Sequence, residues 1–154
     1  MPASEREFHR RVARDSFNRA WDLLDKKKRS KDDDVQMLHL AHASRYHWGL
    51  VGSPRNKAVG EWQVSRIYSE LGQPELALRF ANQCLRGCKE ARLSEVEATA
   101  YEAMARAYAI AKDYSNARGY MAKAHRQLDK LSLDREDRAI YLKQFKETEA
   151  LIKG

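Results

Sequence analysis

Two stretches of the chain align with each other at an offset of 40 residues. The first is AVGEWQVSRIYSELGQPELALRFANQCL, residues 58–85, and the second is ATAYEAMARAYAIAKDYSNARGYMAKAH, residues 98–125. In both, a large apolar residue is followed by a small residue and then, three positions later, by a tyrosine. Well-spaced small residues follow on the next helix. This pattern predicts a repeat of paired helices, because small residues let antiparallel helices approach closely while the larger ones fill the space between pairs.

The aligned positions carry matching kinds of side chain in most cases, with glycine against lysine as the clear exception. The aligned pairs are Val64 and Met104, Ser65 and Ala105, Tyr68 and Tyr108, Gly72 and Lys112, Ala77 and Ala117, and Cys84 and Ala124.

Apolar residues recur at spacings of three and four along almost the whole chain, and the alternation typical of strands is absent. The chain is therefore predicted to be all-α. Two capping boxes, Ser4 with Glu7 and Ser94 with Glu97, mark predicted helix starts. The first four predicted helices cover about 4–28, 33–50, 54–71 and 74–89. The fifth begins at 94, and a tight turn at Asp113 separates it from the sixth, which ends at about 131. The seventh covers 134–152.

No linker is evident, so the chain is predicted to form a single domain, 1–154. It comprises a first hairpin at 4–50, repeats at 54–89 and 94–131, and a terminal helix at 134–152. This last helix carries Ile140, Tyr141, Phe145 and Leu151 on one broad face. We expect it to cover the open end of the helical stack.

Composition limits the class of protein. The chain has 154 residues and a net charge of +7, with no apolar run of transmembrane length and no signal-peptide core. We therefore expect a soluble, cytoplasmic protein. The two cysteines, Cys84 and Cys88, lie one helical turn apart, and we expect two reduced thiols partly in the core.

The basic balance raises nucleic-acid binding as an alternative function. The one dense basic run, Lys26 to Lys31, is followed at once by Asp32, Asp33 and Asp34. Lysines at the end of one helix and aspartates at the start of the next are what the helix dipoles favour. A junction between helices is therefore the preferred interpretation of this run.

A histidine-rich stretch, HLAHASRYHW at 39–48, raises a second alternative, a metal or small-ligand site near His39 and His42. On a helix these two side chains share one side, whereas His47 points away and no cysteine or acidic residue lies nearby in sequence. Core-edge packing is the preferred interpretation, and no cofactor is predicted. The basic start SPRNK, 53–57, suits an anion, although simple N-capping explains it better. No catalytic motif is present, so no enzyme activity is predicted.

The repeated positions resemble those of the tetratricopeptide repeat (TPR) family. The large–small–aromatic pattern matches in both copies, as do the alanines Ala77 and Ala117, while Lys112 departs from the turn glycine. The 40-residue spacing exceeds the family's usual spacing of about 34. The resemblance implies a right-handed array of antiparallel helical hairpins with a concave face, and a non-catalytic module that binds a peptide or protein there.

The resemblance also carries over the positions of partner-binding residues on the concave face. They are Trp62, Gln63, Arg66 and Glu70 in one repeat, and Glu102 and Arg106 in the next. The alternative is that Trp62 packs under the neighbouring helix and that the arginines form a solvated face. The lysine and asparagine pattern with which some family members clamp a C-terminal carboxylate is missing. Arginines interspersed with glutamates favour a mixed or acidic peptide. A homodimer through an exposed end of the array is a further open alternative.

Overall fold

The computed structural model describes all 154 residues and contains seven helices and no strand, as predicted. The helices are α1 (Ala3–Leu24), α2 (Lys31–Val51), α3 (Pro54–Glu70), α4 (Pro74–Ala91), α5 (Ser94–Ile110), α6 (Tyr114–Asp129) and α7 (Arg135–Glu149).

Adjacent helices pack as hairpin-like pairs, α1 with α2, α3 with α4, and α5 with α6, and α7 packs on α5 and α6. Three apolar clusters fill the spaces between them. The first joins α1 to α4 around Met37 and Ile67, and the second joins α3 to α5 around Cys84 and Met104. The third lies beneath α7, where Phe145 is fully buried. The terminal helix thus covers the last hairpin, as expected.

The sequence repeat is also a structural repeat. Helices α3 and α5 begin 40 residues apart, as do α4 and α6. Tyr68 stacks on Phe80 with ring centroids 5.6 Å apart, and Tyr108 stacks on Tyr120 at 5.5 Å. Both stacks join the first helix of a hairpin to the second. These stacks lie inside a hairpin, whereas the pattern predicted that the tyrosine fills the space between pairs. Tyr68 also reaches that space, because its hydroxyl lies 2.9 Å from His42 Nε2 on α2.

The turn inside each repeated hairpin has the same backbone conformation despite the change of residue. Gly72 has a φ of 72° and Lys112 a φ of 64°. The residue after each donates its N–H to the carbonyl of the repeat tyrosine, at 2.9 Å in both copies. A left-handed φ is open to glycine and costs a lysine energy. The hydrogen-bonded turn therefore determines the backbone at Lys112.

Several predicted helix starts are confirmed and two are wrong. Ser53 caps α3 and Pro54 is its first residue, while Asp113 and Asp134 cap α6 and α7 through their side chains. The capping box predicted at Ser4 is wrong, because α1 begins after Pro2 without a side-chain cap. The box predicted at Ser94 is wrong too. Leu93 holds the cap position, so the Ser94 hydroxyl lies inside the helix and caps nothing.

The basic run lies at the junction of two helices, as the preferred interpretation had it. Helix α1 ends at Leu24, earlier than the predicted Lys28. The freed chain lets Lys26 pair with Asp33 at 2.8 Å and Arg29 pair with Asp34 at 2.9 Å. A capping box that the sequence analysis missed, between Ser30 and Asp33, starts α2 at Lys31.

The two cysteines are free thiols, both fully buried on the inner face of α4. Their mutual contact and their burial raise the pKa of the Cys84 thiol well above its usual value. None of the seven helices combines the length and apolar character needed to cross a bilayer.

Candidate functional site

Helix α7 brings the charged residues predicted on α3 and α5 into one network. Arg106 Nε donates to Glu102 Oε1 at 3.1 Å, and the Thr148 hydroxyl of α7 donates to the same oxygen. Glu147 Oε2 lies 3.6 Å from Arg66 Nη2 and 3.9 Å from Arg106 Nη2. Arg66, Glu102 and Arg106 are thus close together, and each contacts a residue of the chain's own terminal helix.

Burial corrects the role expected of two predicted binding residues. Gln63 and Glu102 are fully buried, so neither side chain can touch a partner in this conformation. Gln63 donates from Nε2 to the carbonyl of Phe17, at 2.9 Å, and so ties α3 to α1. Arg106 is only 6% exposed. Gln63 joins α3 to α1, and Glu102 and Arg106 join α5 to α7, while Gln63 Oε1, Glu102 Oε2 and Arg106 Nη2 have no hydrogen-bond partner.

Arg66 and Glu70 keep partial exposure and have partners of their own. Burial, and after it the nearby Arg106 cation, lowers the pKa of Arg66, while the neighbouring carboxylates oppose that shift. Glu70 accepts a hydrogen bond from Arg29 at 2.9 Å and therefore serves the junction between α1 and α2. Each of the two charges therefore has an oppositely charged neighbour within the chain.

Trp62 lies at the floor of a surface groove. Its ring stacks on Trp21 of α1, with centroids 5.4 Å apart and an interplanar angle of 29°. It is 8% exposed, and two clefts adjoin it, one on the α1 side and one on the α7 side. Both clefts are lined by Trp62 and by Gln144 of α7, so they adjoin each other, and we call the two together the α1–α7 groove.

The two clefts differ in their lining. The cleft on the α7 side has a volume of about 220 Å³ and the one on the α1 side about 310 Å³. The former is lined by Arg55, Val59, Trp62, Val96, Thr99, Ile140, Tyr141 and Gln144. The latter is lined by Phe17, Asn18, Trp21, Asp22, Trp62 and Gln144.

A larger cleft, of about 530 Å³, lies among α2, α3 and α4. Five of its nine lining residues are polar or charged, and two of these, Arg45 and Glu61, are joined by a 2.6 Å hydrogen bond. Binding sites are mostly apolar with a few polar groups that orient the ligand. The α1–α7 groove fits this description better than the larger cleft does.

The histidine-rich stretch divides between packing and exposure. His42 Nε2 lies 2.9 Å from the Tyr68 hydroxyl, and burial lowers the pKa of His42. His47 meets His9 of α1, with the two Nδ1 atoms 2.8 Å apart, whereas His39 is exposed. No group of three or more histidine, cysteine or acidic side chains is placed to hold a metal ion. His42 therefore packs at the core edge, as the preferred interpretation had it.

The α1 wall of the groove, formed by Phe17, Trp21 and Asp22, carries no predicted binding residue. Phe17 and Trp21 are spaced four residues apart, so they share a helix face, and that spacing was the available signal. The α7 wall carries no predicted binding residue either. The exposed Ile140, which is 61% accessible, was assigned to the face that covers the stack.

In comparisons with protein-family models, with curated proteins and with solved structures, nothing matches this chain. The interpretation of the α1–α7 groove therefore rests on the chain's own repeat and geometry.

Proposed function

We propose that the chain is a non-catalytic, TPR-like interaction module of the cytoplasm that binds a segment of another protein in the α1–α7 groove. The observation that carries this proposal is the groove's composition. Two adjoining clefts share an aromatic floor, Trp62, between walls that carry Trp21 and Ile140. The right-handed array implied by the family resemblance is part of the same proposal.

Three physical features support a peptide as the ligand. Tryptophan, tyrosine and arginine dominate the binding energy of protein interfaces, and Trp21, Tyr141 and Arg55 all line the groove. The groove extends from α1 across α3 to α7, which suits an elongated segment better than a compact metabolite. Its walls belong to packed helices, so little ordering entropy opposes binding.

The charges of the α1–α7 groove do not favour the nucleic-acid alternative, although Lys27, Lys28 and Lys31 of the basic run take part in no ion pair. A phosphate-binding surface needs free lysines and arginines that release counterions. In the basic run, Lys26 and Arg29 hold the α1–α2 junction through ion pairs with aspartates. The groove itself presents one arginine, Arg55, and one carboxylate, Asp22.

A peptide-display selection with the full chain as bait tests the proposal. Selected peptides are titrated by fluorescence anisotropy against the wild type, Ile140→Glu and Tyr46→Glu. Ile140 and Tyr46 are 61% and 65% exposed, so neither change disturbs the core. Tyr46 lies on α2, outside the groove lining, and matches the change in charge.

We expect Ile140→Glu to weaken binding at least about tenfold, since it places a carboxylate in an apolar wall. Tyr46→Glu is expected to bind as the wild type does. Equal affinities for all three proteins would refute the groove as the binding site. A loss confined to Tyr46→Glu would transfer the function to the outer face of α2, where Val35 and Leu50 are also exposed.

A further inference from the structure

The cleft on the α1 side of the groove combines aromatic faces with a carboxylate. Phe17 and Trp21 are one helical turn apart on α1, and Trp62 of α3 stacks on Trp21. Asp22 follows Trp21 directly and lines the same cleft, which has a volume of about 310 Å³. An aromatic face presents negative potential to a cation, and tryptophan does so most strongly.

The Asp22 carboxylate has no cationic partner within the chain. Of the nearby aspartates, Asp33 is paired with Lys26 and Asp34 with Arg29, whereas Asp25, like Asp22, takes part in no ion pair. What sets Asp22 apart is its place, because this exposed carboxylate lines the same cleft as Trp21 and Trp62. A cation supplied from outside would meet both the carboxylate and the aromatic faces.

The opposite end of the groove has the complementary charge. Arg55 lines the cleft on the α7 side, where no acidic residue accompanies it, and it takes part in no ion pair of the chain. The groove therefore presents an unpaired carboxylate at one end and an unpaired guanidinium at the other, with Trp62 between them.

We infer that the cleft formed by Trp21, Trp62 and Asp22 is a subsite for a basic side chain, an arginine or lysine, of the bound segment. Arg55 takes an acidic group of the same segment. This inference rests on the proposed function and deepens it, because the two unpaired charges give the bound segment a direction along the groove. The partner is thus a peptide of mixed charge with a basic residue as its anchor.

Arg19 is the internal competitor for Asp22. It lies three residues earlier on α1, and both line a neighbouring outer cleft, although no ion pair joins them. If Arg19 swung onto Asp22, it would neutralise the subsite without a ligand. Replacing Arg19 with alanine is therefore expected to leave cation binding intact or to strengthen it. Weaker cation binding in Arg19→Ala would mean that Arg19 itself is needed for the ligand.

The test uses the three tryptophans of the full chain as reporters, since their indole N–H groups give separate NMR resonances. The probes are N-acetyl-arginine amide and N-acetyl-citrulline amide, which have similar shape but differ in charge. We expect the arginine probe to shift the Trp21 and Trp62 resonances in a saturable way, and to leave Trp48 of α2 unmoved. The citrulline probe is expected to shift neither by a comparable amount.

Asp22→Asn is then compared with Asp15→Asn, a change of the same charge on the same helix outside the cleft. We expect Asp22→Asn to weaken binding of the arginine probe by about threefold or more, and Asp15→Asn to have no effect. Equal shifts with both probes, or an equal loss in both variants, would overturn the inference.

Peptide binding distinguishes failure of this inference from failure of the proposed function. If selected peptides require Ile140 but show no preference for a basic residue and are indifferent to Asp22→Asn, the groove binds peptides and the basic subsite is refuted. If the arginine probe depends on Asp22 while no peptide depends on Ile140, the subsite stands and the peptide-binding function is refuted. The two proposals thus have separate readouts.

Discussion

Replacing Arg106 with methionine removes the cation that neutralises a fully buried carboxylate. Glu102 is 0% exposed, and its partners are Arg106 and the hydroxyl of Thr148. Breaking a buried ion pair from one side costs about 3–5 kcal/mol, because the remaining charge is left in a poorly solvating interior. Arg66 lies close enough to Glu102 for this carboxylate to oppose the lowering of the Arg66 pKa by burial, so the Arg66 charge compensates in part. We therefore expect a loss of about 3 kcal/mol, at the lower end of that range.

Urea denaturation followed by circular dichroism measures this loss. With a denaturant dependence of about 2 kcal/mol per molar urea, the transition midpoint is expected to fall by about 1.5 M. Arg86→Met serves as the control, because Arg86 is an exposed arginine of α4 outside every ion pair. Its midpoint is expected to move by less than the equivalent of about 0.5 kcal/mol.

The double variant Glu102→Met/Arg106→Met tests the physical reasoning directly. Replacing both members of a buried pair with apolar residues of similar volume is often neutral or stabilising. The Thr148 hydroxyl would lose its acceptor, at a cost of about 1–3 kcal/mol, so some instability remains. We expect the double variant to be more stable than Arg106→Met alone. If the second substitution instead adds its own loss, the network is not the buried ion pair described here.

Three further predictions concern the framework. The Ser65 hydroxyl donates to a carbonyl of α4 at 2.7 Å, whereas the buried Ser69 hydroxyl has no partner. Ser65→Ala should therefore lower the free energy of unfolding by about 1 kcal/mol, and Ser69→Ala should not. Equal losses in the two variants would contradict a stabilising role of the Ser65 hydrogen bond. Gly72→Ala should destabilise the protein by about 1 kcal/mol in urea denaturation, because the φ of Gly72 is positive. Gly119→Ala should stabilise it, because Gly119 lies inside α6 with open space around it. A Gly72→Ala variant as stable as the wild type would refute the turn assignment. Burial lowers the pKa of His42 below its value in the unfolded chain, so the unfolded state takes up the proton first and the free energy of unfolding should fall as pH drops below about 6.5. His42→Gln should reduce this fall between pH 7.5 and 5.5. An unchanged slope would exclude His42 as its source.

Local sequence patterns were sufficient for the architecture. The offset of 40 residues predicted both repeated hairpins, because the small residues and tyrosines make contacts between helices that are adjacent in sequence. Even the turn at Lys112 follows its glycine counterpart in φ. Helix ends were less predictable. The boxes at Ser4 and Ser94 fit a sequence motif, but a cap works only where the residue has an extended backbone, and the motif does not specify that.

The candidate site was less predictable because it depends on contacts between distant helices. The resemblance to the TPR family implied a partner-binding face on α3 and α5 that carries Trp62, Arg66 and Arg106. It could not show that Glu147 and Thr148, far along the chain, would cover part of that face. The side chains that dominate interfaces also stabilise interiors, since both environments reward large, hydrogen-bonding groups. Residue type alone therefore did not separate a binding surface from a helix contact.

Arg66 and Arg106 help to position the α7 wall of the groove, although neither arginine lines the groove. Arg66 and Arg106 hold Glu147, and Glu147 lies one turn beyond the groove residue Gln144 on α7. Removing either arginine would loosen the α7 wall, so lost peptide binding in such a variant would not show that the arginine touches the peptide. Ile140 is different, because it is exposed in the groove and outside the network. A variant at Ile140 that keeps wild-type stability and loses binding therefore reports contact, whereas a variant at Arg106 reports the position of the wall.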